Sequence, residues 1–204
     1  MHAILAFGDS LTWGADPATG LRHPAAAQWP RVLEGGLTGA RVHADGVGGR
    51  TTCRDDDAGA APRNGAKALP LALSAHMPLD LVIIMLGTND LKAVHGGLAV
   101  SAQAGMRRLA EIVATFPYKP RRAVPKLLIV APPPCAAGAT GGRRVQESLR
   151  LAPLYRALAA EIGAGFLDAG TVARPSATDG VHLEAADTVA LGRALVAPVT
   201  ALLA

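Results

Sequence analysis

The sequence predicts an α/β fold: one three-layer α/β/α domain over residues 1–204, with a parallel sheet and helices on both its faces. Three observations carry that expectation. Ile4-Leu5-Ala6-Phe7, Leu81-Val82-Ile83-Ile84-Met85-Leu86 and Leu127-Leu128-Ile129-Val130 are unbroken apolar runs of strand length, the pattern of parallel strands covered on both sides. Helix-period stretches separate them, the clearest from Leu98 to Phe116, where Met106, Leu109, Ile112 and Val113 recur at three and four. At 204 residues the chain suits a single domain with a sizeable core, and no repeat or second domain is visible.

In chain order, Ile4 to Phe7 is the first strand, and Gly8 permits the backbone angles of a sharp turn after it. Ala15 to Gln28, holding Pro17, Gly20 and Pro24, lacks apolar periodicity and is expected to be a loop. A helix is expected from Trp29, with Pro30 in its first turn and Val32, Leu33 and Leu37 on one side, against the weakening effect of Gly35 and Gly36. Arg41 to Asp45 alternates as a half-exposed strand does, and leads into Gly46-Val47-Gly48-Gly49-Arg50-Thr51-Thr52. Asp55-Asp56-Asp57 is expected in a solvated loop, because adjacent acids point different ways. A short helix over Leu69 to Ser74, ended by Met77-Pro78, precedes the strongest strand, Leu81 to Leu86. The Leu98 to Phe116 helix closes at Pro117 and Pro120. The strand Leu127 to Val130 stops at Pro132-Pro133-Pro134, a loop follows to Gly142, and Ser148 to Ile162 reads as a helix with Leu151, Leu154, Tyr155 and Leu158 inward. Pro153 falls in its first turns, where it costs least. Phe166-Leu167-Asp168 is a short last strand, and from Glu184 a C-terminal helix runs toward Leu203 with a kink expected at Pro198.

Composition narrows the function classes. Half the residues are hydrophobic and the mean hydropathy is +0.27, but no apolar run approaches the roughly 20 residues of a membrane span. The N-terminus lacks a basic region followed by a long apolar stretch, so a cytoplasmic protein without a membrane partner is expected. Cys53 and Cys135 form no framework and have no Cys-x-x-Cys neighbour, so they are taken as structural thiols, and no metal or cofactor motif is read. The net charge is +4, yet the basic residues come as scattered pairs, Arg107-Arg108, Arg121-Arg122 and Arg143-Arg144, and aromatics are 3%; nucleic-acid binding is therefore not expected.

Gly8-Asp9-Ser10-Leu11-Thr12 places a serine beyond the carboxyl end of a strand, the edge at which open α/β sheets bind ligands. Alone, an Asp-Ser pair there is an ordinary helix cap. The glycine-rich loop at 46–52 could turn its N–H groups toward an anion, but it lacks both a Gly-Lys-Ser/Thr ending and Gly-x-Gly-x-x-Gly spacing, which weakens a nucleotide reading. What singles out the serine is an ordered set: the first block, then Gly48-Gly49-Arg50, Gly87-Thr88-Asn89-Asp90 and Asp179-Gly180-Val181-His182. The set resembles the SGNH (GDSL) hydrolase family over nearly the whole chain, and Gly8 to Gly14 looks most like its small bacterial arylesterase and acyltransferase branch. Thr12 departs from the Gly-x-Ser-x-Gly elbow of α/β-hydrolases, so that fold is not implied.

A serine hydroxyl attacks at neutral pH only when a base takes its proton. His182 is the candidate base: Asp179, three residues upstream, can hold one ring nitrogen while the other faces Ser10. His2, His23, His43, His76 and His95 are left as packed or exposed residues. The resemblance assigns three donors to the oxyanion formed on attack, the backbone N–H of Ser10, the backbone N–H of Gly49 and the side-chain amide of Asn89, and buried donors of this kind are usually the largest catalytic term. It implies a serine esterase acting on short-chain and aryl esters through an acyl-serine, with acyl transfer or perhydrolysis as side activity, no cofactor, a small-molecule ester substrate, and a homo-oligomer. Trp13 is expected to line the acyl pocket or to pack beneath the serine turn, and Arg50 to orient Asp9. Cys135 to Gly142 lacks the aromatics that help form an entrance channel in some relatives, which favours hydrolysis. A carbohydrate acetylesterase would use the same residues. A non-catalytic binding module of the same fold would not need all four blocks.

Overall fold

In the computed structural model, which describes residues 1–119 and 124–204, the apolar runs pair as parallel strands. They are β1 (His2–Gly8), β2 (Ala40–Gly46), β3 (Leu81–Met85), β4 (Lys126–Ala131) and β5 (Gly165–Asp168), ordered β2-β1-β3-β4-β5. The helices are α1 (Ser10–Trp13), α2 (Trp29–Gly36), α3 (Gly65–His76), α4 (Ala99–Thr115), α5 (Val145–Ser148), α6 (Leu151–Ile162), α7 (Ala185–Ala194) and α8 (Val196–Leu203). The pleat divides the strands between two cores: Leu5, Phe7, Val82 and Ile84 pack toward α3, α4 and α6, while Ile4, Ala6, Leu81 and Ile83 pack toward α2, α7 and α8. This is the three-layer arrangement expected of apolar runs that cannot be exposed on either face. The chain steps from β1 out to β2 and then crosses back to β3, so the loops after β1 and β3 part at a topological switch point.

Several boundaries differ from expectation. Helix α3 starts at Gly65 rather than Leu69 because the Asn64 side chain accepts from the N–H groups of Ala66 and Lys67 and caps it. Ser148 closes α5 instead of opening the next helix; its hydroxyl donates back to Val145 O (2.6 Å) and accepts from Cys135 N–H (2.9 Å). The C-terminal segment breaks at Leu195, three residues before Pro198, which then sits in the first turn of α8, where its missing N–H is tolerated. Contrary to the expectation of no such run, Ala185–Leu203 spans 19 residues at a mean hydropathy of 1.4, long and apolar enough to cross a membrane by length and composition alone. In the fold Leu191, Leu195 and Val199 from this stretch are buried against the sheet. The expectations for Pro120 and for the Arg121-Arg122 pair lie outside the described residues.

Candidate active site

Ser10 is the first residue of α1, separated from the end of β1 by Asp9 alone. A Cβ on Gly8 would run into the Thr12 side chain and come within 2.8 Å of the Met85 carbonyl, so only glycine lets the serine turn sit so close to β3. Asp9 caps the turn, its Oδ1 accepting from Leu11 N–H at 2.9 Å. Burial raises the Asp9 carboxyl above its ordinary value, against the lowering effects of that bond, His182, Arg143 and Arg50.

The loop after β5 brings the imidazole to the same edge. Asp179 Oδ1 accepts from the backbone N–H groups of Val181 and His182 (both 2.9 Å), Oδ2 lies 2.5 Å from His182 Nδ1, and His182 Nε2 lies 2.9 Å from Ser10 Oγ. A carboxylate accepts only, so Nδ1 carries the proton and Nε2 is left to accept from the serine. Burial would raise the Asp179 carboxyl, but the bonds from His182 and from the Val181 and His182 N–H groups bring it below its usual range, which keeps the carboxylate ionised. The loop is tied down from three sides. Ser176 N–H bonds His182 O (2.7 Å). The His23 ring nitrogen Nε2 reaches Leu183 O (3.0 Å), while His23 N–H bonds Gly14 O (2.8 Å). Ala136 and Thr140 give their N–H groups to Gly180 O and Asp179 O, both at 2.9 Å. The sequence reading left His23 among ordinary histidines; no local signal shows that it joins the serine turn to the histidine loop.

Gly49 and Asn89 come in from the loops after β2 and β3. Gly49 has φ +82°, a conformation L side chains rarely adopt, and a Cβ there would lie 2.7 Å from Arg63 Nε. Neither the Ser10 N–H nor the Gly49 N–H has an acceptor among the described residues. Asn89 is different: its Nδ2 donates to Asp9 Oδ2 (3.0 Å) and to Arg50 O (3.1 Å), and its Oδ1 accepts from Arg143 Nη2 (2.7 Å). Two of the expected donors are thus free and the third is engaged at rest, with Arg143 fixing which way the amide points. Arg50 does not reach Asp9 as expected. Its guanidinium donates to Gly8 O, Asp45 O and Asp45 Oδ1 and lies over the Phe7 ring, leaving Asp9 to Asn89.

All four blocks therefore meet at one sheet edge, and residues 6–189 match the GDSL-like lipase/acylhydrolase family. The chain belongs to that family. Its likeness to solved structures extends over the whole chain. A candidate arylesterase from Agrobacterium tumefaciens is 68% identical, with a TM-score of 0.98 and coverage of 99% of this chain and 100% of that one. A carbohydrate acetylesterase family member from Sinorhizobium meliloti is 44% identical (TM-score 0.96, coverage 100% and 99%). The aryl esterase of M. smegmatis is 38% identical (TM-score 0.88, coverage 99% and 100%). No match is found among curated proteins.

Around the GDSL-family serine, three further placements matter. Trp13 is half-buried, with the Arg22 guanidinium 5.5 Å from its ring centroid and Arg22 Nε donating to Trp13 O. Asp56 is not the solvated residue expected of an acidic run: its side chain is buried, and Arg63 and His95 approach it at 3.2 Å. Asp55 and Asp57 are exposed, as adjacent residues on opposite sides of the backbone would be. A cavity of about 340 Å³ lined by Arg107, Val124 and Ile162 lies away from the serine, at the amino ends of β4 and β5.

Asp90, beside Asn89, is buried and accepts from Thr52 N–H (2.9 Å) and Thr52 Oγ1 (2.5 Å). Burial, only partly offset by those bonds, pushes its carboxyl up to about 6. Between about pH 4, where the unfolded residue titrates, and that value, the native state holds a proton that the unfolded chain has lost. Stability from this group is therefore present at low pH and declines as pH rises, by about 3 kcal/mol in all. Urea unfolding of wild type and Asp90→Asn at pH 4 and pH 7 is expected to show that decline in wild type and a weaker one in the variant; parallel pH dependence would contradict it.

Proposed function

We propose that the chain is a serine carboxylic ester hydrolase that cleaves short-chain and aryl esters through an acyl-serine intermediate. The observation that carries this reading is Ser10 Oγ at 2.9 Å from an imidazole nitrogen whose partner nitrogen is held by Asp179, together with two N–H donors, of Ser10 and Gly49, that have no acceptor among the described residues. As Ser10 Oγ attacks the ester carbonyl, His182 Nε2 takes its proton, and Asp179 stabilises the resulting imidazolium without taking a proton itself. The carbonyl oxygen becomes an oxyanion beside the N–H groups of Ser10 and Gly49, with the Asn89 amide as third donor once it shares one of its present bonds. His182 then gives the proton to the departing alcohol. Water, deprotonated by the same imidazole, attacks the acyl-serine and releases the acid, restoring Ser10.

Hydrolysis is favoured over transfer to other alcohols by the character of the loop bonded to Asp179 and Gly180. Ala137, Gly138 and Thr140, in the loop tied to Asp179, are small and exposed and give no apolar wall to exclude water. The likeness to the S. meliloti protein supports a carbohydrate acetylesterase as a second reading, with the same residues and a sugar as the alcohol. The test is turnover of 4-nitrophenyl acetate. No turnover, or turnover that His182→Ala leaves unchanged, would contradict the reading.

A further inference from the structure

The loops bearing the oxyanion donors also gather cations. Arg63 packs against Gly49, as its Nε 2.7 Å from that residue's would-be Cβ shows. Arg143 donates to Asn89 Oδ1, Thr88 O and Thr140 O, all neutral acceptors, and has no carboxylate partner among the described residues. Lys92 lies between them: its backbone bridges that of Arg143, and its N–H bonds Asn89 O. The Lys92 ammonium has no hydrogen-bond acceptor among the described residues, and its nearest carboxylate, Asp56, is 3.9 Å away and already shared with Arg63 and His95. Its side chain is 19% exposed. Burial first, then Arg143 and Arg63, holds the lysine below its ordinary pKa.

Arg63 and Lys92 thus share one buried carboxylate with His95, and Arg143 beside them has none among the described residues. Of the other carboxylates close by, Asp9 accepts from Leu11 and Asn89 and Asp90 accepts from Thr52, and neither forms a direct ion pair with these three cations among the described residues. Gathering like charges in a partly desolvated place is unfavourable unless an anion joins them. A cleft lined by one sign of charge also draws oppositely charged substrates toward it.

We propose that Arg63, Lys92 and Arg143 form a subsite that recognises a carboxylate carried by the ester substrate. This rests on the esterase reading above and adds the substrate class to it. The carboxylate can belong to the acyl part or to the alcohol part, since the cations flank two of the oxyanion donors rather than one exit from the serine.

The test uses two pairs of esters, each an anion and its neutral methyl ester. For the acyl part these are mono-4-nitrophenyl adipate and 4-nitrophenyl methyl adipate; for the alcohol part, 4-acetoxybenzoate and methyl 4-acetoxybenzoate. The quantity read is the ratio of kcat/KM within a pair, compared between wild type and variant so that intrinsic reactivity cancels. Lys92→Met is expected to lower that ratio about tenfold in one pair, chiefly through KM of the anion, and Lys92→Arg to retain it. The pair that responds identifies the part of the substrate that carries the charge. Raising the salt concentration with unmodified protein is expected to erode the same ratio, which provides a readout even if Lys92→Met does not fold. Ratios that neither the substitution nor salt changes, with the neutral esters still turned over, would overturn the subsite alone. Failure to turn over any of the four esters would count against the esterase reading itself, and the subsite with it.

Discussion

Ser10→Ala is expected to lower kcat on 4-nitrophenyl acetate by on the order of 10⁶, to the level of the reaction without a nucleophile. The magnitude follows from the way the pair acts. Without Oγ, the imidazole 2.9 Å away has no proton to take, and the free N–H donors face a carbonyl that nothing attacks. Because Asp9 rather than Ser10 caps α1, and Ser10 Oγ bonds only His182 among the described residues, the change should leave the melting temperature nearly unaltered. Circular dichroism melts run beside the kinetics separate the two effects. Residual turnover near that of wild type would show a different nucleophile.

Asn89→Ala is expected to reduce kcat by about 10²–10³ with KM little changed, because the amide would act on the oxyanion and not on the bound ester. This variant also carries a structural cost. The Asn89 side chain is buried and serves Asp9, Arg50 O and Arg143, so its removal leaves buried groups unsatisfied and destabilises the fold by about 1–3 kcal/mol. Kinetics well below the melting temperature separate the effects. A rise in KM with kcat intact would make Asn89 a contributor to ground-state binding instead.

The meeting of Ser10, Asp179 and His182 was legible in the sequence because each sits in a short block whose geometry is local. Asp179 reaches His182 across a turn of three residues, and only Asp9 separates Ser10 from the end of an apolar strand. The sheet was legible for a similar reason: Leu81 to Leu86 cannot be exposed on either face. What supports those residues was not legible. His23 bonding Leu183 spans 160 positions, Asn89 bonding Asp9 spans 80, and Arg143 bonding Asn89 spans 54; the pairing is decided by which loops the sheet order brings together. Arg50 shows the same limit, since opposite charge suggested Asp9, while packing over Phe7 turns the guanidinium toward Asp45. Asp56 appeared solvated as one of a run of acids, and only the return of Arg63 and His95 buries it.

The most direct measurement is to quench the protein in acid during turnover of 4-nitrophenyl acetate, digest it, and map the acetyl mass. An acetyl group on the peptide that contains Ser10, absent from Ser10→Ala, is the predicted result. Turnover without any adduct, or an adduct confined to another residue, would contradict it.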